Sequence, residues 1–244
     1  MTISGWNLKY ARIADEFGYS KNNDYDSATF LDSILKKRFP LTELKKMIYG
    51  KTVFVIGAGP SIQHSISTLK KHKNIIIICA DSAATPLIQN GIRPNIIVTD
   101  LDGDLKLFRK IGKTNTVFVV HAHEDNIEKL DFVKNFKNCI GTTQTREIGK
   151  ICNFGGFTDG DRCVFLANHF EAKKIVLFGM DFGINVGKYS KTDTTDKKIK
   201  RKKLKRGKIL LEWLATKSKS ELYTMSKPIK GFKKITYQKL EDYI

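Results

Sequence analysis

Three carboxylates fall within five residues in Thr99-Asp100-Leu101-Asp102-Gly103-Asp104. In an extended stretch alternate residues share a face, so Asp100, Asp102 and Asp104 are expected to point the same way. Their mutual repulsion is costly unless a cation neutralises it. An all-oxygen donor set suits magnesium, which takes one or two carboxylates together with substrate phosphates. The bland alternative is a solvated acidic turn. An EF-hand is excluded, because no Glu follows at the twelfth position.

Five further segments carry groups of the same kind. Gly57-Ala58-Gly59-Pro60-Ser61 offers a sharp turn and backbone amides ahead of a helix, an arrangement that takes phosphate; a plain strand–helix turn is the alternative. It is not a Walker A loop, since no Gly-Lys-Ser/Thr follows. It is not a full dinucleotide fingerprint either, since Ile62 stands where the third glycine belongs. Ala80-Asp81-Ser82-Ala83 places an acid 22 residues past Gly59, suited to a ribose hydroxyl or to a helix N-cap. His121-Ala122-His123-Glu124-Asp125-Asn126 alternates two imidazoles that would contact phosphate or substrate, cap a helix, or bind zinc or iron with a ligand from elsewhere. Gly155-Gly156-Phe157-Thr158-Asp159-Gly160-Asp161-Arg162 and Gly179-Met180-Asp181-Phe182-Gly183 complete the set, and either alone reads as a turn.

The elements that must position these groups are short continuous apolar runs at residues 52–56, 75–79, 96–98, 117–120 and 175–178. They do not alternate with polar residues, so both faces are covered, as in a parallel sheet flanked by helices. Residues 61–71 and 127–136 are each about one crossover helix long. Ligands in such sheets bind at the carboxyl ends of the strands. Five strand ends bearing Gly, Asp or His groups therefore predict a polar, acidic, metal-dependent pocket on one edge.

The expected fold class is α/β: a doubly wound, mostly parallel sheet with a helical N-terminal segment and a helical C-terminal extension. With 244 residues, 41% of them hydrophobic, the chain can bury one sizeable core. Residues 1–50 read as helical, with apolar stripes Phe30, Leu31, Ile34, Leu35 and, after Pro40, Leu41, Leu44, Met47, Ile48. Residues 51–187 form the expected catalytic domain. Residues 188–244 form a basic loop and a helical segment, with a helix at 207–215 carrying Ile209, Leu210, Trp213 and Leu214 on one side. That helix is a candidate homodimer surface.

Net charge is +18, and half of it sits in residues 188–208, where eleven Lys or Arg face two Asp. Such concentration weighs against a nucleic-acid platform. The lysines read as a solvated helix face and the loop before it, or as a phosphate-attracting lid. Cys79, Cys139, Cys152 and Cys163 form no CxxC pair, so neither a zinc site nor a disulfide framework is expected. No apolar run approaches the roughly 18 residues of a membrane span. The N-terminus shows no secretory h-region, so a cytoplasmic protein is expected.

Together, these motifs resemble the archaeal 6-hydroxymethyl-7,8-dihydropterin pyrophosphokinase family over about residues 51–220, in the right order. Asp81 and Asp100-Leu101-Asp102 are also similar to the carboxylate motifs of thiamine pyrophosphokinases. Two positions depart from the family pattern: Glu124 stands where Gly is expected and Cys163 where Ala is expected. The resemblance implies transfer of diphosphate from ATP to the pterin hydroxymethyl group, with AMP leaving and Mg2+ as cofactor. It implies that Asp81, Asp100 and Asp102 hold magnesium, with Asp104 assisting. Gly57, Gly59 and Ser61 would donate to phosphate, and His121, His123 and Arg162 would stabilise its charge. Asp125, Asn126, Asp159 or Asp181 would meet the pterin edge or the attacking hydroxyl, and Asp159, Asp161 or Asp181 would serve as base. Similar domains occur in proteins linked to flagellin glycosylation, so a metal-dependent glycosyltransferase is the alternative. A nicotinamide-dependent oxidoreductase would leave residues 100–104 without a role.

Overall fold

Alternate residues of each apolar run face opposite sides of one sheet, and each side meets its own layer of helices. The computed structural model describes residues 2–183 and 197–244. Three helices come first: α1 (Trp6–Phe17), α2 (Lys21–Ile34) and α3 (Leu41–Ile48). The α/β succession then runs β1 (Thr52–Ile56), α4 (Ile62–Lys71), β2 (Ile76–Ala80), α5 (Asp81–Gln89), β3 (Ile96–Thr99), α6 (Leu105–Ile111) and β4 (Val117–His121). It continues through a 3-10 segment (Glu124–Asn135), β5 (Cys139–Thr142), α7 (Asp159–His169), β6 (Lys174–Phe178), α8 (Lys197–Ala215), β7 (Glu221–Thr224), β8 (Lys233–Lys234) and a last 3-10 segment (Tyr237–Tyr243).

The eight strands lie in the order β5-β4-β3-β2-β1-β6-β7-β8, and every neighbouring pair is parallel. The doubly wound parallel sheet expected from the apolar runs is therefore the observed fold. Strand order reverses between β1 and β6, which is where such sheets open a crevice for ligand. Val53 and Val55 of β1 point into one layer with α1, α3, α7 and α8. Phe54 and Ile56 point into the other, with α2, α4, α5 and α6.

Several local expectations change. Residues 124–135 wind as 3-10 turns, not as the α-helix expected over 127–136. The buried Leu130 and Val133 are three apart, the spacing that a three-residue turn superimposes. Strands β5 and β7 are four residues each and carry no apolar run, so periodicity does not find them. Helix α8 is already formed at Lys197, so the lysines are its first turns; residues 188–196 of the basic stretch lie outside the described residues. Its buried stripe is Leu210, Leu211 and Leu214, while Ile209 is exposed, one residue off the expected register. Among the described residues no helix is long and apolar enough to cross a membrane.

The N-terminal helices are fastened to the strand ends that carry the polar groups. Trp6 is fully buried, its ring lies edge-on to Phe165 at 5.7 Å, and its Nε1 donates to the Gln144 carbonyl at 2.9 Å. Replacing Trp6 by Ala removes that packing and takes a donor from the carbonyl. Trp6→Ala is expected to lower the unfolding free energy by about 3–5 kcal/mol, read as a fall in urea midpoint at unchanged slope.

Candidate active site

The acidic cluster is built by a turn, not by an extended strand. After β3, Leu101 takes a left-handed backbone (φ 67°), which curls the chain so that the Asp102 amide donates to Asp100 Oδ1 at 3.3 Å. The turn carries Asp104 away from its expected partners. Asp104 is exposed and caps α6, its Oδ1 accepting from the Leu107 amide at 3.0 Å. Its place is taken by Asp159. One carboxylate oxygen from each of Asp81, Asp100, Asp102 and Asp159 lies within 4.8 Å of the others. Asp81 and Asp159 open α5 and α7, where the positive end of the helix dipole favours an anion.

Asp81 is nearly inaccessible, at 2% exposure. Its Oδ2 accepts from Thr99 Oγ1 and from the Gly103 amide at 3.2 Å. Its Oδ1 is buried with no hydrogen-bond partner. A Cβ at position 103 would collide with this carboxylate, so only glycine fits there. Burial, then the Asp102 charge, pushes Asp81 up to about 8. Burial and the Asp100 charge push Asp102 up to about 6. Burial also raises Asp159, reinforced by the Asp100 charge. For Asp100, burial is outweighed by its hydrogen bond and charge contact with His123 and by the Asp102 contacts, which together lower it to about 2. A buried carboxylate oxygen without a donor, surrounded by three more acids, is a donor set that fits a hard divalent cation.

The glycine loop after β1 differs from the expected phosphate cradle. The Gly57 amide donates to the Phe178 carbonyl and the Gly59 amide to the Gly179 carbonyl, both at 2.8 Å. The Ser61 amide donates to Asp181 Oδ2 at 2.8 Å, and its hydroxyl pairs with that of Ser226 at 3.1 Å. The donors expected to hold phosphate are thus engaged by the neighbouring loop at the sheet's switch point. A Cβ at Gly57 would meet Met180 Sδ at 2.5 Å and the Gly179 carbonyl oxygen at 2.7 Å, so glycine serves close loop packing here.

The two histidines of the motif act differently. His123 caps the 3-10 segment with Nδ1 and turns Nε2 toward Asp100 Oδ2 at 3.6 Å. His121 is buried, and Arg162 donates to its ring at 2.7 Å. Burial, then the Arg162 charge, lowers the His121 pKa, so His121 stands neutral. Arg162 itself is buried behind that ring, so it is a positioning residue instead of the expected phosphate contact. Asn126 donates to the Asp100 and His121 carbonyls, each at 2.7 Å, and accepts from the His123 amide at 3.0 Å. Asp161 is fully buried and accepts from the Phe157 and Thr158 amides as the cap of α7. Asn126 was expected to meet substrate and Asp161 to serve as a base, and both side chains are taken up in holding backbone.

A cavity of about 720 Å³ joins these groups; Asp100, Asp102, His121, His123, Asp125, Asp159 and Asp181 line it. Phe17 of α1, Tyr19 of the α1–α2 turn, Asp24 of α2 and Gln144 line it without a local sequence signal, together with Phe157 of the glycine-rich motif and Lys200 and Lys203 of the basic run. Lys200 and Lys203 are half-buried, while Lys197, Lys198, Arg201, Lys202 and Lys205 are exposed. The basic run is therefore a solvated face that also sends cations to the cavity. Glu124 serves the scaffold, because its side chain accepts from the Ser20 amide at 3.1 Å and its own amide donates to Asp24 at 2.9 Å, joining α2 to the histidine motif.

The acidic cluster sets a pH dependence. Asp81 binds a proton up to about pH 8 in the folded protein, whereas the unfolded chain releases it near the ordinary value of about 4. The folded state then holds more protons over that window, so stability falls as pH rises through it. In chelator, the loss between pH 5 and pH 8 is expected on the order of 3 kcal/mol. Urea titrations at both pH values check it, and Asp81→Asn is expected to flatten the dependence.

Residues 29–187 match the family described as 6-hydroxymethylpterin diphosphokinase MptE-like. The chain is 43% identical over 239 residues to the 6-hydroxymethyl-7,8-dihydropterin pyrophosphokinase of Methanocaldococcus jannaschii, covering 91% of this chain and 99% of that one. It is 41% identical over 229 residues to the protein of the same name from Pyrococcus furiosus, covering 91% and 97%. Among solved structures, the MAf glycosyltransferase from Magnetospirillum magneticum superimposes on 89% of this chain and 38% of its own, with TM-score 0.60 and 15% identity. That last likeness establishes a shared fold alone. The length of the match and the identities to the two archaeal proteins place this chain in the 6-hydroxymethylpterin diphosphokinase MptE-like family.

Proposed function

We propose that the chain is a magnesium-dependent pyrophosphokinase that transfers diphosphate from ATP to the hydroxymethyl group of 6-hydroxymethyl-7,8-dihydropterin and releases AMP. The observation that carries this reading is the convergence of Asp81, Asp100, Asp102 and Asp159 on one point of the sheet's carboxyl edge, with Asp81 Oδ1 left without a donor. The names of the two archaeal relatives supply the substrate.

The crevice between the β1 and β6 loops, lined by Gly57, Gly59 and Asp181, is the natural seat for the nucleoside. The triphosphate then runs along the edge toward β2 and β3. Asp81, Asp100 and Asp102 would hold Mg2+ there, with Asp159 beside them; when bound, the ion neutralises phosphate oxygens and orients them. Lys200 and Lys203 reach the same cavity from α8. Burial lowers the Lys200 pKa, while the charges of Asp102, Asp100 and Asp159 oppose that shift. The acceptor oxygen attacks the β-phosphorus, the bond to the α,β-bridging oxygen breaks, and AMP leaves with that oxygen. Catalysis is mainly positioning and charge neutralisation. His121, being neutral, offers a hydrogen bond instead of a charge. The hydroxyl proton needs a carboxylate that is not already engaged. Asp161 is a helix cap and Asp181 accepts from Ser61, so Asp159, which lines the cavity, is the base in this reading.

With ATP, Mg2+ and the pterin, AMP is expected to appear in step with pterin diphosphate; pterin-dependent ADP would overturn the reading. Asp100→Asn is expected to lower kcat/KM by about 10²–10³-fold while the thermal midpoint is retained. Full turnover in that variant would contradict the cation assignment.

A further inference from the structure

Along the carboxyl edge of the sheet the functional groups follow the strand order. Gly57 follows β1, Asp81 follows β2, Asp100 follows β3, His121 ends β4, and Thr143 and Gln144 follow β5. At about 4.8 Å per strand, the β5 end lies roughly 19 Å from the β1 end. The crevice and the acidic cluster account for the β1-to-β3 side. The β4–β5 side is lined by a different chemistry that the diphosphate transfer itself does not explain.

Three aromatic rings meet in the cavity wall. Phe17 and Tyr19 stack at 5.8 Å with only 10° between their planes. Phe157 lies 5.2 Å from the first and 6.2 Å from the second. All three line the cavity, and Phe17 and Tyr19 are only half-buried. Gln144, at 4% exposure, lines the same cavity. Its backbone carbonyl is pinned by Trp6 Nε1 at 2.9 Å and Asn153 Nδ2 at 3.1 Å. Its side-chain Nε2 donates to Asp24 Oδ2 at 3.4 Å. That contact fixes which way the amide faces, because the opposite rotamer would set its oxygen against a carboxylate. The outcome is a Gln144 Oε1 that is buried without a hydrogen-bond partner. Asp24 is itself 1% exposed and held by Tyr10 Oη and by the Glu124 amide at 2.9 Å. A buried acceptor left unpaired is costly unless a donor arrives with a ligand.

We propose that Phe17, Tyr19 and Phe157 form the pocket for the acceptor heterocycle, and that Gln144, oriented by Asp24, reads its hydrogen-bond donor edge. The proposal rests on the pyrophosphokinase reading for the identity of that heterocycle. A pterin presents two adjacent donors, the 2-amino group and N3–H, to the two lone pairs of Gln144 Oε1, while Asp24 is taken up by Tyr10, Gln144 Nε2 and the Glu124 amide. Adenine has one donor beside an acceptor and matches that pair less well. Flat aromatic surface supplies the stacking, and the polar pair supplies the selection. The N-terminal helices thereby contribute a specificity wall to a site whose chemistry lies in the α/β part.

The test is binding to the full chain, with pterin fluorescence for the acceptor and calorimetry for ATP. Gln144→Met keeps the bulk and removes the acceptor; Tyr19→Ala trims a half-exposed ring and covers the case in which the first variant does not fold. Either is expected to weaken pterin binding by about tenfold or more, with ATP affinity within about twofold of the parent. Loss of ATP affinity with pterin binding intact would make this the nucleotide pocket and overturn the assignment. Unchanged binding of both ligands would overturn it as well. The outcome separates from the pyrophosphokinase reading: if the parent protein yields no pterin-dependent AMP yet binds pterin through Gln144, the pocket stands and the reaction falls.

Discussion

Four carboxylates held within reach of one ion are an electrostatic burden that most folds avoid. Like charges at such spacing cannot all ionise without a compensating cation, and burial disfavours the charged forms further. Here the arrangement is maintained by features with no other evident purpose. These are a left-handed turn at Leu101, a glycine at 103 that makes room for the Asp81 carboxylate, a Thr99 hydroxyl and two helix N-termini. The strand order then distributes everything else about that point.

Support for the cluster comes from residues that never reach the cavity centre. Asn126 ties the Asp100 and His121 carbonyls together, Asp161 caps the helix that presents Asp159, and Arg162 adds its charge to the burial that keeps His121 neutral. These are polar side chains whose hydrogen bonds are directed inward. Their loss would act through geometry, not through contact with the reacting atoms. The α1–α2 segment and the start of α8 bring different chemistry to the cavity wall, aromatic rings from the first and ammonium groups from the second, and they meet where Lys203 Nζ lies over the Tyr19 ring at 5.4 Å.

The sheet was legible because continuous Ile/Val runs leave little choice but burial on both faces. The strand ends were legible as a set, since Asp81, Asp100, Asp102, His121, His123 and Asp159 do meet. Individual roles were harder to read. Alternation in sequence put Asp104 with Asp100 and Asp102, but the turn at Leu101 breaks the alternation and replaces it with Asp159, far along the chain. Gly57, Gly59 and Ser61 have the composition of a phosphate loop, yet their amides are satisfied by the end of β6 and the loop after it, a pairing that only the tertiary structure reveals. Phe17, Tyr19, Asp24 and Gln144 carry no local signal. The first three enter the site because the N-terminal helices and the turn between them fold over the strand ends, where Asp24 meets Gln144 after β5, and a short motif cannot encode such long-range placement.

The most direct measurement of the central claim is a Mn2+ titration followed by electron paramagnetic resonance, at pH 8, with and without a non-hydrolysable ATP analogue. Saturable binding is expected, tightening with the nucleotide and lost on replacing Asp81, whose buried Oδ1 is the unpaired oxygen of the cluster, in Asp81→Asn. Binding of equal strength in that variant, or no saturable binding in the parent protein with nucleotide present, would contradict it.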